Sequence, residues 1–276
     1  MNKVNKPEVL ILGPGGMKVF LELGALLELE SRNFLDKVHT FIGCSIGSLV
    51  ALLLTCGFKT IEIINDLLNE NIAENFMFSL ERITEKNGII NPNIIRQKLS
   101  KKLLTKFNIV PNLEQLYFFT GINFISISLN ITKDSVEALS KDTEPYLSCV
   151  DAVLMSMNIP GIFCPIIYKN CFYIDGALGN PYPVDIKDDG QTRILGISIE
   201  EKVTNLHENF YYIYKVIQSS MIQLKKKIIE NCSTFCEHIV IPSDWIDTLG
   251  VTISNKEKIE MIIKGFFEAK KKFTKN

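Results

Sequence analysis

The chain has 276 residues, 46 % hydrophobic and 22 % charged, proportions that suit a globular protein with one sizeable core. A formal net charge of −1 excludes a global field for capturing nucleic acid or an acidic membrane, and leaves such work to local basic runs. Seven scattered cysteines in apolar surroundings argue for reduced thiols in a cytoplasmic compartment and against a disulfide framework.

In chain order, Val9–Leu12 is a short apolar run that ends at Gly13 and predicts a buried strand. The tight loop GPGGM follows, then a helix over KVFLELGALLELESR. His39–Gly43 predicts a second strand and Ile46–Cys56 a second buried helix. This strand–glycine turn–helix order, met twice, predicts an α/β layered fold. Thr60 to about Phe107 predicts an inserted helical section outside the sheet, broken at NGIINPN. Asn123–Ile131 alternates apolar and polar residues as a strand does, and Ser135–Leu139 can pair with it as a hairpin. SCVDAVLMSMNIP predicts a helix stopped at Pro160. Cys171–Ile174 and Ile194–Ile199 predict further strands. Amphipathic helices near Asn205–Glu230 and Lys256–Phe273 flank a strand at His238–Ile241. No linker or repeat divides the chain, so one domain over 1–276 is expected, with its motifs in 9–200 and a mainly helical part over 201–276.

Three stretches carry residue types suited to chemistry. Gly43-Cys44-Ser45-Ile46-Gly47 fits G-x-S-x-G, in which a strained strand-to-helix turn exposes a serine beside helix N–H groups. The rival reading of Ser45 is a small residue where a helix packs on a sheet. Gly13-Pro14-Gly15-Gly16-Met17-Lys18 sits at another strand–helix junction, where glycine amides can stabilise an oxyanion. It has neither the G-K-[ST] of a P-loop nor a G-x-G-x-x-G, and the plain alternative is a turn shaped by packing. Asp175, at a strand end before Gly176 and Ala177, can deprotonate a serine directly within hydrogen-bond reach; standing alone it reads equally as a turn cap.

Taken together and in this order, the three stretches resemble the patatin-like phospholipase family. DAVLMSMNIPGIFCP resembles the Ser-x-x-x-Pro stretch that precedes that family's aspartate, and NPYPV the segment that follows it. The likeness runs from about Val9 to Glu200. It implies a three-layer α/β/α fold with a mainly parallel or mixed sheet. It also implies a Ser–Asp dyad acting without histidine, metal or cofactor, with Ser45 as nucleophile and Asp175 as base. The amides of Gly15, Gly16 and Met17 would be oxyanion donors, supported by Lys18, Gly43, Gly47 and Gly176. The implied substrate is an acyl lipid met at a membrane surface by peripheral contact. Pro14 and Val19 depart from the family's loop, G-G-G-x-[KR]-G, and Pro14 has no N–H to offer.

Two other readings stay open. An α/β-hydrolase triad would recruit His207 or His238, which follow Asp175 in the right chain order. A non-catalytic lipid-binding scaffold would account for Pro14 and Val19. The lysine runs at Lys225–Lys227 and Lys270–Lys272 are candidates for an anionic surface, and Phe76–Phe78 for an apolar lip near the site. No apolar run reaches the roughly 18 residues of a membrane-spanning helix, no signal peptide is evident, and no acidic loop has calcium-ligand spacing.

Overall fold

The computed structural model describes residues 6–69, 88–201, 209–243 and 253–274. The first strand, β1 (Val9–Leu12), is buried along its whole length. It leads through a short 3-10 turn (Gly16–Lys18) into helix α1 (Val19–Ser31). β2 (Thr40–Cys44) and α2 (Ile46–Thr55) repeat the pattern, again fully buried. Continuous apolar runs of this kind are expected of parallel strands covered on both faces.

Helix α3 (Thr60–Asn69) is followed by β3 (Gly88–Ile90), then by α4 (Asn93–Phe107) and α5 (Leu113–Thr120). β4 (Asn123–Asn130) and β5 (Ser135–Leu139) form the expected antiparallel hairpin. Next come α6 (Cys149–Ser156), β6 (Gly161–Phe163), β7 (Ile166–Tyr168), β8 (Cys171–Asp175) and β9 (Ile194–Glu201). The chain closes with α7 (Asn209–Asn231), β10 (Cys236–Ser243) and α8 (Asn255–Thr274).

The main sheet runs β10-β9-β1-β2-β4-β8-β7, with β5 paired to β4. From β10 to β4 every neighbour is parallel; β5, β8 and β7 pair antiparallel. Alternate residues of β1 feed two cores. Leu10 and Leu12 pack with α1, α2 and α6, while Val9 and Ile11 pack with Tyr182 and with Met221 and Ile228 of α7. The result is the three-layer α/β/α arrangement with a mixed sheet.

Two expectations need correction. The described parts of Thr60–Phe107 before and after NGIINPN are helical as expected, but NGIINPN is more than a break: it contains β3, which pairs in parallel with β6 as a separate two-stranded sheet. Helix α5 has no counterpart in the sequence reading. Its start is set by a capping box, in which the Asn112 side chain accepts from the Gln115 amide at 2.8 Å and Gln115 Oε1 accepts from the Asn112 amide at 3.0 Å.

Candidate active site

Ser45 stands between β2 and α2 with φ 56° and ψ −130°, a sparsely populated conformation that costs about 1–3 kcal/mol and persists only where the surroundings impose it. Here they do. A Cβ on Gly43 would lie 2.3 Å from the Ser48 Cα, and one on Gly47 would lie 2.5 Å from the carbonyl oxygens of Leu12 and Gly13. Helix α2 therefore starts against the end of β1, and the turn at Ser45 has no room to relax. Below it, Ser48 Oγ and Ser126 Oγ are 2.7 Å apart, and Ser126 Oγ donates to the Ala152 carbonyl at 2.8 Å. Those contacts tie α2 to β4 and α6.

The sheet register brings the aspartate to the serine. Cys44 of β2 pairs with Ile127, and Asp175 of β8 pairs with the next residue, Ser128. β5 takes the other edge of β4 at both positions. β2 and β8 therefore meet end to end along one edge of β4. The Ser45 hydroxyl donates to Asp175 Oδ2 at 2.6 Å, and the Ala177 amide donates to Oδ1 at 2.9 Å. Burial of Asp175 raises its carboxyl from 3.8 to about 6, against the lowering effect of these two hydrogen bonds. At neutral pH the group is mainly ionised and can accept the serine proton.

Ser156, the last residue of α6, had no role assigned from sequence beyond its place in Ser-x-x-x-Pro. Its hydroxyl accepts from the Ser45 amide at 2.9 Å, so that amide is already engaged. Asn158 is also placed by the structure: its carbonyl accepts from the Asp175 amide at 2.8 Å, and its side chain donates to the Tyr173 carbonyl at 2.7 Å. It clamps β8 at the end that carries the carboxylate.

The glycine loop faces the same space. Gly16 has φ 53°, the left-handed region that glycine tolerates best. Among the described residues, the amides of Gly15, Gly16 and Met17 have no backbone acceptor, as expected at the start of a short helical turn. Gly16, Met17 and Ser45 line one cavity of about 860 Å³, otherwise walled by apolar groups such as Leu49, Leu53 and Ile159 and by lysines of α4. Lys18, expected as a support, is fully buried behind the loop. Gly176 packs where a Cβ would meet the Ile127 carbonyl at 2.2 Å. Glu22 was not singled out from sequence. It lies buried beside Gly13, and burial drives its pKa well above the usual carboxylate range, against the lowering effects of the Gly13 backbone and of Lys225. Cys44 is buried, and its thiol is pushed well up by burial, with Asp175 and Glu22 adding to the effect.

The other expected residues fall away from this centre. His238 lies within β10, three strands from β2 and so about 14 Å away. Its Nδ1 is 3.0 Å from the Tyr182 hydroxyl, and burial lowers its pKa. His39 precedes β2, at the end opposite Ser45. The lysine runs are partly engaged. Lys225 donates to the Ile199 carbonyl at 3.0 Å, Lys272 to the His238 carbonyl at 3.1 Å, and Lys271 pairs with Glu268 at 2.6 Å. His207 and Phe76–Phe78 lie outside the described residues. Among the described residues no helix is long and apolar enough to cross a membrane.

Comparison with known proteins points one way. The family model described as patatin-like phospholipase matches residues 10–187. A protein of Invertebrate iridescent virus 6, "Probable lipid hydrolase 463L", is 31% identical over 183 residues, covering 65% of this chain and 62% of its own. Among solved structures, VipD from Legionella pneumophila superposes with a TM-score of 0.62 at 15% identity, over 96% of this chain and 66% of that one. The type III effector ExoU of Pseudomonas aeruginosa gives 0.56 at 14% identity, over 98% and 53%. This chain thus spans less than two thirds of the length of each of these proteins, and the two structures support the fold alone.

Proposed function

Because the chain belongs to the patatin-like phospholipase family, we propose that it is a serine lipid acyl hydrolase of the phospholipase A type, working through a Ser45–Asp175 dyad. The observation that carries this reading is the 2.6 Å hydrogen bond from Ser45 to a buried carboxylate, at the wall of a largely apolar cavity. As Ser45 Oγ attacks the acyl carbonyl carbon, Asp175 Oδ2 takes the hydroxyl proton. The tetrahedral oxyanion is met by the amides of Gly15, Gly16 and Met17. Collapse expels the alcohol, which leaves with the proton held by Asp175. Water then attacks the acyl-enzyme as Asp175 takes its proton, and collapse releases the fatty acid while that proton returns to Ser45 Oγ. The free thiols fit a cytoplasmic protein that meets lipid peripherally.

The test is hydrolysis of a short-chain nitrophenyl ester and of phosphatidylcholine vesicles, in EDTA, by wild type, Ser45→Ala and Asp175→Asn. The wild-type rate should survive chelation, and each variant should lose at least about 10³-fold while remaining folded. Wild-type protein that binds vesicles but hydrolyses neither substrate would overturn the proposal. The scaffold reading would then lead, with Pro14 as the lost oxyanion donor.

A further inference from the structure

The α4–α5 face exposes a set of aromatic side chains whose extent was hidden in the sequence. Phe118 is 83% exposed, Phe119 45% and Tyr117 41%, and only Leu113 and Leu116 of α5 are buried. Tyr146, 79% exposed, lies on the segment whose Pro145 and Leu147 carbonyls accept from the first two amides of α5. Soluble surfaces rarely gather such side chains without a partner. One end of the cluster, at Phe119, adjoins a residue next to the cavity wall. Phe119 stacks on Phe107 at 5.4 Å, and Phe107 is preceded by Lys106, whose Nζ sits 4.5 Å over the ring of Phe58, another residue of the cavity wall.

Charge singles out the occupant. Helix α4 carries Arg96, Lys98, Lys101, Lys102 and Lys106 and no acidic residue. Arg96 pairs with Asp151 and Lys102 with Asp66, while Lys101 and Lys106 are solvent-exposed at the cavity rim. Lys141, paired with Asp142 at 2.6 Å, lies 4.5 Å over the Tyr117 ring. Bulky aromatics between cations, on a face that leads to a cavity, are complementary to an anionic bilayer, where rings enter the headgroup boundary and lysines meet lipid phosphates and carboxylates.

We propose that the α4–α5 face docks this protein on an anionic lipid surface and delivers acyl chains to the adjoining cavity. The proposal rests on the lipid-hydrolase reading of that cavity, but its test does not need turnover. Ser45→Ala protein is sedimented with vesicles of phosphatidylcholine alone and of phosphatidylcholine mixed with phosphatidylserine. Binding should favour the mixed vesicles and weaken as salt is raised. Adding Phe118→Ser with Tyr146→Ser should weaken it about tenfold or more. In otherwise wild-type protein the same pair should leave hydrolysis of a soluble ester unchanged. Replacing Lys270 and Lys271 with Gln should have no effect on either readout.

Four results would overturn the proposal: no vesicle binding at all, equal binding to both compositions at every salt concentration, full binding by the Phe118/Tyr146 variant, or loss of binding in the Lys270/Lys271 variant. A dimer by analytical ultracentrifugation that the Phe118/Tyr146 substitutions dissociate, with vesicle binding intact, would instead assign the face to a second copy of the chain. Failure of the hydrolase reading has a different signature, absence of turnover with vesicle binding retained.

Discussion

At Asp175, the burial that lifts the carboxyl to about 6 produces two opposing effects. The protonated acid cannot take the Ser45 proton, so the ester hydrolysis rate should rise as pH increases through about 6 and level off above it. Stability runs the other way. The folded pKa exceeds the unfolded one, so stability present below pH 3.8 is lost as pH rises through about 6. The ionised carboxylate thus costs the fold about 3 kcal/mol at pH 7.5. Asp175→Asn should remove part of that cost, making the inactive protein more resistant to urea than wild type at pH 7.5, with the gain vanishing at pH 3.5. Urea curves at the two pH values check this, and lower stability of the variant at both would show that burial does not strain the carboxylate. Strain at Ser45 has the same character, a cost held in place by the close packing at Gly43 and Gly47.

Among the elements, α1 and α8 cross more closely than side chains normally permit. A Cβ on Gly24 would lie 2.0 Å from the Ile262 carbonyl, and one on Gly265 would lie 1.9 Å from the Leu21 carbonyl. Each helix thus lays its backbone against the glycine of the other, and α1 in turn leads back to the glycine loop at Gly16. Gly24→Ala must push the helices apart. Overpacking of this kind costs about 1–3 kcal/mol, which should appear as a lowered urea midpoint with an unchanged slope. Because Gly24 touches nothing in the cavity wall, the ester rate of the folded fraction should stay close to wild type. A variant as stable as wild type would mean that the crossing is looser than described.

For the whole molecule, the part beyond the motif-bearing segment completes the fold. β10 pairs along the entire length of β9, from Ile194 with Cys236 to Glu201 with Ser243. α8 covers α1, and Met261 and Ala269 of that helix are fully buried in the larger core. We therefore expect a chain ended after Glu201 to expose β9 as an edge strand together with the apolar face of α1, a combination that invites aggregation. Expression of residues 1–201 should give insoluble or aggregated protein by size-exclusion chromatography. A soluble monomer with ester hydrolysis would show that 201–276 is a separable addition to the domain.

Much of this was legible in the residues themselves, because the determining signals are local. Apolar runs ending at Gly13 and Gly43, the hairpin from Asn123 to Leu139, and the G-x-S-x-G and Asp-Gly patterns each act within a few residues, and strand–turn–helix order restricts the topology. Long-range register was not legible. Nothing near Asp175 states that β8 will abut β2 along β4, yet that register alone creates the 2.6 Å contact with Ser45. The Ser156 hydroxyl on the Ser45 amide spans 111 residues and is hidden for the same reason. The basic runs illustrate the converse. Lys225 and Lys272 look exposed in a linear pattern, but helix packing turns both onto backbone carbonyls. Phe118 and Tyr146 look no different from core aromatics until the fold leaves them in solvent. Local chemistry determined which residues are equipped to react. Only the tertiary structure decided which of them meet and which face outward, because contacts between distant segments depend on the packing of the whole chain.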